Sequence, residues 1–537
     1  MKAPAWTDRR IALGLALLMG AFYLLTSGAE RPWGDGDYQY QHARNVWVEH
    51  RLDLGDQPRR WLFEGPDQRF YVTFSLGIAL SYGPSVAFVE WLAPNHHPGL
   101  LWAVGHRFAS TLYGALVAAL MFLLARRLAV SRRRAVAVTL VACVATQLWV
   151  YVHSDFSEAY QTFALLLAVY VTVVAMDRPS APWGAALGLA WGHLAVAKVV
   201  YLALLPIAFV AVLVPLWRAH GRRALRTAVP GVVAFLPGIA VMLAYNHLRT
   251  WHWLGTGRQF DHFAGPMDGS WWVGLHGLLL SSGKSIFVFS PILVAAMLGV
   301  PAFLRARPRE ARFVLLSASV LLLVYAQYVF WHGAWSFGPR FATCLMPLLV
   351  LPLAWLRLPA ERAPRRWAAA ALGGLLFVSM GVQALGNTYY EGHNIHVQNR
   401  ARRALLGKTK RDSCGWCHEN QYLSHFVPHF SPIATHAWLL AGALRGLDDD
   451  AMRESAPWAR FFPPKLRAKV EIRRPPVDYW LLRWVGQLRG TGGRPADRVG
   501  ALGWVLLFGS LLVGALGGLL VLGGLRRSEG ASASAGG

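Results

Sequence analysis

Runs of about twenty apolar residues recur along this chain, and each is long enough to cross a bilayer as a helix. In hydrocarbon every backbone polar group must bond within its own segment or a closed barrel, so runs of this length commit the chain to a helical bundle. A sequence of 537 residues that is 55% hydrophobic and only 15% charged is too apolar for a water-soluble globule. The pattern predicts an all-α polytopic membrane protein with about twelve transmembrane helices. The first apolar run, residues 11–25, has no convincing cleavage site after it and reads as a retained span.

The formal net charge of +25 invites a nucleic-acid reading, but its distribution points elsewhere. Arginines cluster in the short connections 126–134, 218–226, 305–312 and 357–366, at every second turn of the chain. That is the bias of cytoplasmic loops, so the charge reports orientation in an inner (plasma) membrane, with no nucleic-acid partner. Both termini are then expected in the cytoplasm. The expected organisation is a transmembrane module over 1–386, with a first outer segment at 28–105. A polar, Pro-rich extracytoplasmic segment or cap follows at 387–497, and 498–537 carries a last span and a disordered tail. The apolar run Tyr71 to Leu92 is broken by Gly77, Gly83 and Pro84 and is expected as a broken helix at the interface.

Under this topology the candidate functional residues all fall on the outer face. Asp35 and Asp37 follow the first span. His153, Asp155 and Glu158 lie in one outer turn, Lys198 in the next, then Arg258 and Asp261, Lys284 and Arg340. Bases so placed hold and neutralise a phosphate leaving group, and an acid among them deprotonates an incoming hydroxyl. Tyr40, with Tyr38, Trp253, Trp271 and Trp335, either stacks on sugar faces or forms an interfacial belt. Plainer readings exist for each residue. Asp35 and Asp37 sit in a Gly-Asp turn, Lys198 and Arg340 fit snorkelling span ends, and Glu158 fits a helix cap. His153, Asp155 and Glu158 with Asp35 also offer hard ligands for a divalent metal.

Of the 4 cysteines, Cys143 and Cys344 sit in apolar spans. Cys414-Gly-Trp-Cys417-His418 has the spacing of a covalent c-type haem site, with His418 as axial ligand. The same residues also suit a local disulfide, or zinc held by Cys414, Cys417, His425 and His429.

The motifs GDGDYQYQHARNVWVEHRLDL, LARRLAVSRRRAVAV, HSDFSEAYQTFALLLA, AYNHLRTWHWLGTG, LLLSSGKSIFVFSP and WSFGPRFATCLMPLLVLPLA follow one another over residues 10–390. In that order they resemble the bacterial integral-membrane glycosyltransferases of the GT-C superfamily, near the protein O-mannosyltransferase and aminoarabinose-transferase branch (glycosyltransferase family 39-like). The resemblance implies an inverting transferase that uses a polyprenyl-phosphate-linked sugar on the periplasmic face, with a lipid, glycan or protein acceptor. It implies an essential acid in the first outer loop, matched by Asp35, and a second acid after the third span, matched by Asp155 or Glu158. Many relatives carry an acid directly after the first one. Here that position is Gly36, which leaves Asp37 as its substitute. Two other classes stay open: a transporter or flippase of an anionic lipid-linked substrate, and a haem-bearing membrane protein. No Walker motif and no hydropathy repeat supports a pump or an inverted-repeat carrier.

Overall fold

A computed structural model describes residues 6–31, 34–57, 62–92, 100–255, 267–333, 336–406, 422–470, 472, 475–490 and 498–533. Among the described residues the regular structure is helical apart from one antiparallel pair, Leu62–Glu64 with Phe70–Val72, in which Leu62 faces Val72. Seven helices among the described residues are long and apolar enough to cross a membrane: Phe108–Arg127, Glu158–Asp177, Val199–Ala219, Gly221–Thr250, Pro308–Gln327, Arg362–Thr388 and Leu502–Arg526. The chain is an integral membrane protein. Of the other expected spans, the first is an unbroken 20-residue helix set apart only by its charges, and the rest are shorter or interrupted helices. Trp6–Leu25 carries Asp8, Arg9 and Arg10 near its start. Arg132–Val144 stops before a separate turn, Leu148–His153. Ala181–Ala197 stops at Lys198, which is extended. Ile286–Phe289 and Ile292–Ala306 are divided at Ser290-Pro291. Arg340–Trp355 alternates 3-10 and α turns, because Pro347 and Pro352 each lack the N–H that an α-helix needs.

Small residues join the helices. Between Ala181–Ala197 and Leu225–Thr250, Gly184, Gly188 and Gly192 lie against the backbone of Thr227, Gly231 and Phe235, with no room for a Cβ at Gly184 or Gly188. The first and last helices meet in the same way, where a Cβ on Gly14 would stand 2.7 Å from the Gly517 carbonyl. Lipid is as apolar as a leucine side chain, so helix association in a bilayer depends on such close packing.

The basic connections collect at one end of the bundle. Asp8 pairs with Arg126 at 3.1 Å and with Arg132 at 2.6 Å, and Arg127 pairs with Asp177 at 3.0 Å. Arg307 and Arg309 reach the carbonyls of Leu128 and Met176 there. The run Tyr71 to Leu92 breaks at Tyr82 into Leu76–Ser81 and Gly83–Leu92. Residues after 388 form helices Glu391–Leu406, Pro432–Arg445 and Asp449–Ser455 around their own core of Trp438, Met452, Trp458 and Phe462. Asp478 ties this segment to the end of the first helix. Its Oδ1 accepts from the backbone N–H of Ala29 and of Glu30, each at 2.7 Å.

Candidate active site

Gly34, at φ 66°, turns the chain into helix Asp35–Arg44, and Asp35 is that helix's first residue. A carboxylate in a first turn is favoured by the unpaired backbone N–H groups. Asp35 and Gln39 are four residues apart and share one face, which lines a cavity. Asp37 is rotated by about 200° from Asp35. Its carboxylate accepts from Gln41 Nε2 at 2.9 Å and does not line that cavity. Tyr40 also turns inward, buried against Trp102 and His106, so it does not reach a substrate in the cavity.

Arg340 unites three distant parts of the chain. It follows the turn Gly338-Pro339, with Gly338 at φ 71°. Its Nε donates to Glu158 Oε1 at 2.7 Å, and its Nη1 donates to Asp35 Oδ2 at 2.8 Å. The guanidinium lies over the Phe156 ring, 3.8 Å from its centre. Arg340 is 6% exposed and Glu158 2%, whereas the Asp35 side chain is 41% exposed. The bridge is therefore dry on the Glu158 side and open to the cavity on the Asp35 side. Such fork-like pairing fixes orientation as well as charge.

The cavity measures about 530 Å³. Its polar wall holds Asp35, Gln39, Glu158, Gln161, Lys198 and Arg340, and its apolar walls include Phe74, Ile78, Val199 and Met242. Lys198 stands at the break between two helices, with Nζ 4.4 Å from the Phe341 ring centre. The cavity is also lined by Tyr245, Asn246 and Arg249, which fall inside the motif AYNHLRTWHWLGTG but were not named there as site residues. Arg249 donates to the carbonyls of Val72 and Phe74 and to Asn246 Oδ1, and lies over the Tyr245 ring at 4.1 Å. Its signal in the sequence was that motif, with an Asn and an Arg three apart at the end of an apolar span.

The remaining candidates go elsewhere. Lys284 was expected to hold phosphate. Instead it is buried, and its Nζ donates to Ser336 O at 2.7 Å and to Ser336 Oγ and Gly338 O at 3.0 Å each. Burial pushes its ammonium down to about 7. It braces the turn that delivers Arg340. His153 was expected beside Asp155. Its Nδ1 meets the Thr26 carbonyl and its Nε2 meets Asp478 Oδ2 at 3.2 Å, so it belongs to the tie of the C-terminal segment. Asp155 is fully buried against the first turn of helix Asp35–Arg44, where a Cβ on Gly36 would stand 2.6 Å from its Cγ. Burial pushes the Asp155 carboxyl up to about 6. Among the described residues, no three of His, Cys, Asp and Glu converge on a position for a metal ion. Trp253 stacks on His247 at 4.2 Å, and Trp271 is exposed. Arg258, Asp261, Trp335, Cys414, Cys417 and His418 lie outside the described residues, and with them the haem, zinc and disulfide readings.

No protein-family model matches the sequence, and no curated protein is similar to it. Among solved structures, the chain is similar to ArnT from Cupriavidus metallidurans bound to undecaprenyl phosphate. The TM-score is 0.46 at 15% identity, covering 99% of this chain and 80% of that one. It is also similar to the Archaeoglobus fulgidus oligosaccharyltransferase in its apo form, with a TM-score of 0.44 at 11% identity over 78% of this chain and 60% of that one. The same enzyme in complex with zinc and sulfate gives 0.42 at 12% identity, over 75% of this chain and 57% of the other.

Proposed function

We propose that the chain is a membrane glycosyltransferase that moves a sugar from a polyprenyl-phosphate donor to a hydroxyl of a lipid, glycan or protein on the outer face of the membrane. The observation that carries this reading is the bridge of Asp35, Arg340 and Glu158 along one wall of a cavity that also holds Lys198. The order of motifs in the sequence points the same way. Asp35, the half-open end of the bridge, is the general base. It takes the proton as the acceptor oxygen bonds to the sugar's anomeric carbon. The bond from that carbon to the phosphate oxygen breaks, and its electron pair leaves with the phosphate. A single displacement of this kind inverts the anomeric centre. Lys198 and Arg340 face the developing phosphate charge, which a water-poor cavity makes them stabilise more strongly than they would in water. Glu158 holds Arg340 in place from the buried side, and the apolar walls suit the first units of the lipid.

The direct test is to incubate purified protein with polyprenyl-phosphate sugars in mixed micelles, with and without acceptor lipid, and to measure free lipid phosphate. The proposal expects release of lipid phosphate that depends on the protein and matches sugar transferred. Binding or flipping of the donor with no bond broken replaces this reading with the carrier reading.

A further inference from the structure

The basic end of the bundle contains a recess that the proposed chemistry does not use. It is open, measures about 680 Å³, and lies between the turn after helix Glu158–Asp177 and helices Leu205–His220 and Leu225–Thr250. Arg223, Arg226, Ser180 and Thr227 line it, with Leu216 and Val229 among its apolar residues.

Two observations set this recess apart from its surroundings. Of the arginines at this end, Arg126 and Arg132 are engaged with Asp8, Arg127 with Asp177, and Arg307 and Arg309 with backbone carbonyls, while Arg218 and Arg222 are exposed but do not line the recess. Arg223 and Arg226 are exposed, and among the described residues neither guanidinium has a carboxylate or carbonyl partner. Then, from the recess, Val229, Val232, Val233 and Leu236 run along helix Leu225–Thr250 at spacings of three and four residues, all between 53% and 60% exposed. Residues so spaced form one continuous apolar stripe. Trp217, next in sequence to the recess residue Leu216, is 54% exposed, and exposed indole rings favour the membrane–water boundary.

We propose that this recess binds an anionic phospholipid of the leaflet at the basic end, with Arg223 and Arg226 on its phosphate and an acyl chain along the Val229–Leu236 stripe. Two guanidinium groups beside hydroxyls match a phosphate, and basic pockets between membrane helices are suited to anionic head groups. Free phosphate shares the head-group chemistry but has nothing to place on the stripe. Each arginine near a charged leaflet is worth about fivefold in affinity, so the pair is worth about thirtyfold.

The test uses the full-length protein stripped of lipid in neutral detergent. Phosphatidylglycerol, phosphatidylcholine and inorganic phosphate are each titrated in, with thermal melting and native mass spectrometry as readouts. The proposal expects phosphatidylglycerol to be retained and to raise the melting temperature, with phosphatidylcholine and inorganic phosphate weaker by at least tenfold. Arg223→Ala/Arg226→Ala should weaken phosphatidylglycerol about thirtyfold, whereas Arg218→Ala/Arg222→Ala, which removes the same charge outside the recess, should not. Where the first pair fails to fold, Ser180→Trp fills the recess, keeps both charges and should also lose the lipid. Equal effects of the two double variants, equal binding of phosphatidylcholine, or full reproduction by inorganic phosphate overturns the proposal. None of these results depends on the glycosyltransferase reading.

Discussion

Arg340 is the residue whose removal tests the geometry of the site most severely. Arg340→Met keeps much of the side chain's volume and deletes the guanidinium. Glu158, 2% exposed, then loses the donor 2.7 Å from its Oε1 and stays as a buried carboxylate with no partner. Removing one member of a buried pair costs about 3–5 kcal/mol, because the other charge stays desolvated. The Asp35 arm contributes much less, about 1 kcal/mol or below, since that side chain is 41% exposed and water screens it. Loss of the contact with Phe156 adds roughly another 0.5–1 kcal/mol. The destabilisation is therefore assigned mainly to Glu158. It follows that Glu158→Gln in the Arg340→Met background should recover most of it, while Asp35→Asn in that background should recover little. Transfer should remain lost in all of these variants. Thermal melts and denaturant titrations of the four proteins in one detergent measure the effect. Arg340→Met melting as the parent does, or recovering with Asp35→Asn in place of Glu158→Gln, would refute the division of labour along the bridge.

Three further expectations follow from particular contacts. Gly36→Ala pushes a methyl into the Asp155 carboxylate and to 2.8 Å from the Asp155 backbone carbonyl, and should cost about 1–3 kcal/mol and slow transfer by displacing Asp35; Asp155→Ala in that background clears the side chain but not the carbonyl, so it should recover part of the loss and not all of it, and parental turnover in Gly36→Ala contradicts the contact. Asp155 has its carboxyl raised from 3.8 to about 6, so its protonated form favours the fold and that contribution is lost as pH rises from about 4 through 6; melts across that window should flatten in Asp155→Asn, and an unchanged slope contradicts the burial argument. Ser131→Cys, in the connection beside the Asp8 ion pairs, should resist a membrane-impermeant thiol reagent added to intact cells, while Gln57→Cys reacts; labelling of Ser131→Cys reverses the assigned sidedness.

The parts of this structure that could be read from sequence are those set by local chemistry or by the membrane. Apolar length and the alternation of arginine clusters predict the bundle and the gathering of Arg126, Arg132 and Arg307 at one end. Asp35, Glu158, Lys198 and Arg340 stand at span ends on the other face, and the fold brings all four to one cavity. What was not legible depends on side-chain direction and long-range closure. Asp37 and Tyr40 share a segment with Asp35, but a helical turn aims them away from the cavity. Lys284 has the charge of a phosphate ligand, yet three oxygens of the 336–338 turn claim it. His153 pairs with Asp478, 325 residues away in a segment with no matching motif, and no local pattern announces such a contact. Several expected spans are shorter than hydropathy suggests because Lys198, Pro291, Pro347 and Pro352 interrupt the helical ladder.

The central claim is that Asp35 is the base. Asp35→Asn keeps an acceptor for Arg340 Nη1 and removes only the charge that takes a proton. The decisive measurement is single-turnover sugar transfer by Asp35→Asn and Asp37→Asn beside the parent, with donor binding measured on the same samples. The account predicts a fall of about 10²- to 10⁴-fold for Asp35→Asn with donor affinity little changed, and a mild effect for Asp37→Asn. Near-parental turnover in folded Asp35→Asn, or loss confined to Asp37→Asn, contradicts it.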